Sequence, residues 1–328
     1  MTPTPAATVV LLRPGPGDEP EILFIQRPAT MAFGPGLHVF PGGKVDPEDA
    51  SGGPDADVAR ALGDNVSALE AAALRRAAIR EVQEEIGVRL PDDAILAPIT
   101  QFTTPVFLPR RFSTWFFVAD LPEGVEPAFA VDEVAGHAWL TPTAAFARLA
   151  AGEIEMWVPT TTTVQRLRAT GAMTASGVAE RIRFGPSAPP RIVEEEPARV
   201  RIACGQAGGI PGQSCVVTLL GRREITVVDP GDATEEAIRL IEETVDRRGG
   251  AIRAVVLMGT DPARAAGAEM LAIPHEIPIL VAPGGGRELP YEVVEVGDGE
   301  RLPCDMDVRA TLGPAGSASL TLTPSAGE

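Results

Sequence analysis

The sequence predicts an α/β protein built in two parts, and three observations carry that prediction. Apolar runs of strand length recur through the first half between turns rich in Pro, Gly and Asp. Residues 67–86 form a long alanine-rich segment with helix signals at both ends. Beyond residue 188, strands and helices alternate at the lengths of an α/β layer. With 328 residues, 45% of them apolar and 22% charged, each half has material for its own core.

Taken in order, residues 7–12 and 22–26 are strand runs joined through Pro14, Gly15, Pro16 and Gly17. A glycine-rich loop with Phe33 and Gly34 then leads to Val39, Phe40, Pro41, Gly42 and Gly43, and residues 47–66 read as a loop. The helix over 67–86 opens on a capping box, Ser67 with Glu70, and stops at Gly87. Strands are expected over 99–107, 113–119 and 134–140, a short helix near 143–151, and an irregular helical stretch around 160–183. Residues 186–199 combine prolines with an acidic run and predict a linker, dividing the chain into domains 1–188 and 189–328. In the second domain the expectation is strands at 214–220 and 224–228, a helix at 234–247, a strand at 253–258, a helix at 262–272 and a strand at 278–282.

The formal net charge is −17, which disfavours partners whose own surface is anionic, so neither nucleic acid nor a membrane is expected as a ligand. A small anionic substrate would need local arginines or a divalent cation to approach. Lys44 is the only lysine. The three cysteines, Cys204, Cys215 and Cys304, form no Cys-x-x-Cys pair and read as buried thiols of a reducing compartment. No apolar run reaches the roughly 18–20 residues of a membrane span, and the expected location is cytoplasmic.

The informative segment is residues 80–88. At about 100° per helical residue, Glu81, Glu84 and Glu85 share an arc about 100° wide, while Ile79, Val82 and Ile86 point elsewhere. Three like charges at neighbour spacing repel one another. A hard cation with oxygen ligands turns that repulsion into binding, and Mg²⁺, with Mn²⁺ as its substitute, suits such a donor set. The competing explanation is a solvated acidic face.

Phe40, Pro41, Gly42 and Gly43, followed by Arg80-Glu81-Val82-Gln83-Glu84-Glu85-Ile86-Gly87-Val88, resemble the Nudix box of the Nudix hydrolases. Gly43 begins the motif, and residues 80–88 match its second half at every specified position. Asp49 stands where that family has glutamate, and 30 residues separate it from Arg80 where the family has seven, as in the branch resembling coenzyme A diphosphatases. Surface insertions cost little if their ends stay put. The resemblance implies an α/β/α sandwich and a Mg²⁺-dependent hydrolase of diphosphate linkages in nucleotide derivatives. It places Glu81, Glu84 and Glu85 on the metal with the carbonyl of Gly42, and Arg80 as their orienting partner. Glu133 is the candidate for a further ligand from a later loop. Arg27, Arg110 and Arg111 are the candidates for phosphate oxygens, since an arginine fork suits them. His38 reads as a packed histidine, and Trp115, Phe116 and Phe117 as core.

Residues 213–231, with Asp229, Pro230 and Gly231, resemble the opening of the metallo-β-lactamase fold. Gly259, Asp261, Ala263 and Arg264 then stand at that family's ligand positions and Gly313 at a later histidine position, so no zinc is expected. The second domain reads as a degenerate, truncated relative without catalysis, whose open sheet face or edge would meet the first domain or another copy in a homodimer. Two alternatives stand beside the enzyme: a nucleotide-sensing protein that does not cleave, and a hydrolase acting through the second domain.

Overall fold

The computed structural model describes the chain apart from residues 1, 32–33, 64–65, 105–107, 109, 131–132, 183, 185–188, 207–213, 232–233, 260–266, 290–291, 314–319 and 325–328. Phe33, Asp261, Ala263 and Arg264 lie outside the described residues, as does the side chain of Cys215. The chain divides into two compact units near residue 186.

The first unit is a mixed sheet between two helical layers. Its strands are β1 (Thr4–Arg13), β2 (Glu21–Gln26), β3 (His38–Val39), β4 (Gly42–Lys44), β5 (Ala97–Thr103), β6 (Phe112–Asp120) and β7 (Gly136–Leu140). They run in the order β3-β2-β1-β6-β5, with β4 also pairing β1 and β7 pairing β2. The centre is the parallel pair β1–β6, in register from Thr4 opposite Phe112 to Leu12 opposite Asp120. Side chains of these strands alternate between two cores, as a pleat requires. Ala7, Val9, Leu11, Leu23, Ile25, Trp115 and Phe117 face one layer. Val10, Leu12, Ile22, Phe24, Phe116 and Val118 face the other.

The first layer holds α1 (Ala56–Leu62) and α2 (Ala68–Ile86). The α2 face toward the sheet is built of Ala71, Leu74, Ala77, Ala78, Val82 and Ile86. Its small alanines let the helix lie close to the strands. The Ser67 hydroxyl accepts from the Glu70 N–H, and Gly87 closes the helix at φ 65° with its N–H on the Gln83 carbonyl. The opposite layer comprises α3 (Pro142–Ala150), α4 (Val158–Thr170) and α5 (Ala175–Arg181). Instead of one irregular stretch over 160–183 there are two helices, parted at Gly171, whose φ of 60° ends α4.

The second unit carries a seven-stranded sheet in the order β14-β13-β12-β11-β10-β9-β8. Its strands are β8 (Arg191–Glu196), β9 (Arg199–Gln206), β10 (Ser214–Leu220), β11 (Glu224–Val228), β12 (Ala251–Val256), β13 (Ile279–Val281) and β14 (Val294–Glu295). β8 to β11 pair antiparallel, and β11 to β14 pair parallel. Helices α6 (Glu235–Arg247) and α7 (Ala268–His275) cover one face.

Two expectations need correction here. The segment 186–199 is not simply a linker, because residues 191–196 form the edge strand β8. The acidic run is stable as a strand because its carboxylates have partners: Glu194 pairs with Arg199 (2.5 Å) and Arg201 (3.2 Å), and Glu195 with Arg247 (3.1 Å). Nor is the second sheet face bare. Leu302, Cys304, Val308 and Ala310 pack on Leu220, Val228, Ala254, Val256 and Leu280. The C-terminal hairpin of β15 (Val308–Leu312) and β16 (Leu320–Pro324) belongs to that cover. Among the described residues, no helix is long and apolar enough to cross a membrane.

Candidate active site

The site begins where β4 lies against β1, with Ala6 opposite Lys44, Ala7 opposite Gly43 and Thr8 opposite Gly42. A Cβ on Gly42 would stand 2.5 Å from the Ala7 carbonyl oxygen, so only glycine allows this approach. A Cβ on Gly43 would meet the Glu81 Oε1 at 2.2 Å. The missing side chain therefore leaves the space that a carboxylate of α2 fills. The Gly42 N–H donates to Glu85 Oε2 at 2.9 Å, tying the turn to the helix.

Arg80 organises the remaining acids. Its Nη1 donates to Glu81 (2.8 Å) and to Glu84 (2.9 Å). Its Nη2 donates to Asp49 Oδ2 (2.8 Å) and to the Lys44 carbonyl (3.1 Å), and its Nε reaches Asp49 Oδ1 at 3.3 Å. Asp46 adds an ion pair at 3.6 Å. The side chain of Asp49 is only 6% exposed. Its hydrogen bonds, then those of Glu81 and Glu84, raise the pKa of Arg80 against the opposing effect of burial.

Glu85 is different. Burial pushes its carboxyl up to about 8, and the charges of Glu81 and Glu133 push the same way. The Gly42 N–H and the charge of Arg27 oppose the shift without cancelling it. Burial likewise raises Glu81, opposed by its bond to Arg80. Glu84 is the open member, its side chain 55% exposed. Glu133 comes near because its loop closes the end of α2: the Ala130 N–H donates to the Glu85 carbonyl at 2.9 Å and the Ala128 N–H to that of Ile86 at 2.8 Å.

The fold thus gathers Gly42, Arg80, Glu81, Glu84 and Glu85, with Glu133 and Arg27 within electrostatic reach of Glu85. Arg27 follows β2, where its N–H donates to the Leu37 carbonyl at 3.0 Å. Arg110 and Arg111 lie in the connection between β5 and β6, just before β6 begins. Arg110 is exposed, and the Nε of Arg111 donates to the Thr104 carbonyl at 2.9 Å. His38 is half-buried, with its pKa lowered by desolvation, and Trp115, Phe116 and Phe117 lie in the core. His275 pairs with Glu242 at 3.2 Å.

The residues fit a hard divalent ion. The donors are oxygens, one is a desolvated carboxylate that a nearby cation would ionise, and two glycines leave room around them. Among the described residues no three acidic, histidine or cysteine groups already converge on one point. Arg80 holds one oxygen each of Glu81 and Glu84, and the Gly42 N–H holds one of Glu85, so each carboxylate has a second oxygen that these bonds do not take. The sequence motif did not give Asp49 a role, nor did it single out Asp46 or Arg76. The four-residue step from Arg76 to Arg80, which puts both on one helix face, was the available signal.

Residues 2–158 match the family model of the NUDIX domain. Among solved structures, the chain is similar to a NUDIX hydrolase from Alicyclobacillus acidocaldarius, at 28% identity over 57% of this chain and 99% of that one, TM-score 0.47. A MutT NUDIX hydrolase from Burkholderia pseudomallei follows at 19% identity, covering 51% and 98%, TM-score 0.35. An Ap4A hydrolase from C. elegans follows at 18%, covering 51% and 96%, TM-score 0.34. No curated protein matches. The acidic helix and glycine turn described above fall within residues 2–158. Residues 2–158 of the chain thus carry a NUDIX domain.

Proposed function

We propose that this chain is a Mg²⁺-dependent hydrolase that cleaves a diphosphate linkage in a nucleoside diphosphate derivative, with a coenzyme A-like molecule as one candidate. The observation that carries the reading is Glu85, a half-buried carboxylate bonded to the Gly42 N–H of the glycine turn and set beside two further glutamates, with desolvation pushing its pKa up to about 8. Glu81, Glu84 and Glu85, with the Gly42 carbonyl and Glu133, would hold the ion. When bound it would neutralise the diphosphate and lower the pKa of the attacking water. Arg80 keeps Glu81 and Glu84 in place. Arg27 is the proposed phosphate contact nearest Glu85, and Arg110 and Arg111 would reach outer phosphate or sugar oxygens. One water adds across the P–O–P bridge, and each product keeps one phosphate. A small nucleotide-type substrate in the cytoplasm is the expected partner, and zinc is not needed.

For the second unit we propose a degenerate metallo-β-lactamase-like layer without catalysis, serving as a structural, gating or dimerising element. Its support is the buried Asp229 turn after β11 (φ 48°), where Asp229 Oδ1 accepts the Met258 N–H at 2.9 Å. The test offers ADP-ribose, dinucleoside polyphosphates and coenzyme A to the full chain with Mg²⁺ or Mn²⁺ and resolves the phosphate products. Cleavage of at least one at the diphosphate is expected. No product from any of them with either ion overturns the substrate assignment.

A further inference from the structure

The first acidic anchor of the site, Asp49, opens the long segment that separates the two halves of the motif, and a second arginine holds that segment down. Arg76 lies one turn before Arg80 on α2. Its Nε donates to the Asp49 carbonyl at 2.5 Å and its Nη1 to the Gly53 carbonyl at 3.3 Å. Asp49 therefore serves both arginines: its backbone oxygen takes Arg76 and its carboxylate takes Arg80. The guanidinium passes so close to the chain that a Cβ on Gly52 would lie 2.5 Å from Nη1. Asp49 is further fixed by the Asp46 N–H, which donates to its Oδ2 at 2.9 Å. The segment is fastened again a few residues on, since the Asp55 N–H donates to the Ala68 carbonyl at 2.8 Å and the Asp55 carboxylate caps α1.

A carboxylate can orient Arg80 only if its own backbone stays still. Asp49 sits in a single 3₁₀ turn (Asp49–Ser51), which has little internal stability. Without an outside hold, the clamp on Arg80 would move with the loop. We propose that Arg76 is a positioning residue: it latches the start of this segment to α2, keeps Asp49 against Arg80, and so sets where Glu81 and Glu84 present their oxygens to a divalent ion. The inference rests on the metal reading given under the proposed function.

The test is a titration of Mn²⁺ alone into the full chain, following free Mn²⁺ by electron paramagnetic resonance, with the thermal midpoint measured in parallel. Arg76→Ala is expected to weaken Mn²⁺ binding about tenfold, the low end for outer-shell partners. Gly52→Ala, which keeps the arginine but displaces it, is expected to do the same, with a midpoint within about 4 °C of wild type. Arg76→Lys, which keeps a donor for the Asp49 carbonyl, is expected to recover most of the loss. If Arg76→Ala does not fold, Gly52→Ala and Arg76→Lys decide the matter. Wild-type affinity in folded Gly52→Ala or Arg76→Ala overturns the latch alone. A wild-type chain that takes up no Mn²⁺ overturns the metal reading as well, so the two failures are distinguishable.

Discussion

The carboxyl of Glu85 holds its proton near neutrality because burial removes the water that would stabilise its charge, while Glu81 and Glu133 add repulsion. Folding raises its pKa from the usual 4.5 to about 8, so the folded state binds that proton more tightly than the unfolded chain. The stability this confers is complete below about pH 4.5 and is lost as pH rises through 8. In chelator, the melting midpoint of the first unit should therefore fall between pH 5 and 9 by about 5–10 °C. Glu85→Gln should flatten that fall, and calorimetric scans of the two proteins check it. Glu84 makes a different prediction, since it is exposed and lies outside the core. Glu84→Gln should slow turnover about a hundredfold or more while leaving the midpoint unchanged, as expected for a lost ligand at a solvated site. Steady-state kinetics beside a thermal scan check this.

Among the elements, the contact between β4 and α2 carries the site, and it depends on an absent side chain. Gly43→Ala places a methyl group 2.2 Å from where Glu81 Oε1 now lies, so the carboxylate must swing away while the sheet register persists. Activity at sub-saturating Mg²⁺ should fall about tenfold or more, with much of it recovered at high Mg²⁺, and a metal titration of initial rates measures both. The helix α2 was legible from sequence to within a residue, because Ser67, Glu70 and Gly87 are local signals that act on their own backbone. The acidic arc was legible for the same reason, since helical spacing alone puts Glu81, Glu84 and Glu85 together. Asp49 and Arg76 were not legible as partners. Their contact crosses 27 residues and depends on how an inserted loop returns to the helix. β8 was misread because its glutamates and the prolines on either side of it argue for solvent, and only the arginines of β9 and α6 make the acidic run an edge strand.

Across the whole molecule, the chain divides into two units, each with its own sheet packed on both faces. In the second unit, Asp305 accepts the N–H groups of Arg222 (2.6 Å) and Arg223 (2.9 Å) at the β10–β11 turn. Desolvation alone would raise its carboxyl, but these donors and the Glu224 N–H hold it below the usual 3.8. That stability is present above pH 3.8 and is lost as pH falls through the lowered value. Asp305→Asn should lower the midpoint of the second unit at pH 7 by an amount worth about 1 kcal/mol, bring it level with wild type in strong acid, and leave diphosphate hydrolysis unchanged. The net charge of −17 repels an anionic substrate at long range, so a bound cation or local arginines must supply the attraction that the surface lacks. The most direct measurement is therefore titration calorimetry of the intact chain with Mg²⁺ and with Mn²⁺ in the presence of ADP-ribose. Saturable heat that disappears in Glu84→Gln is the expected result. The absence of binding heat with either ion, or an undiminished signal in that variant, would contradict the placement of the cation on these glutamates.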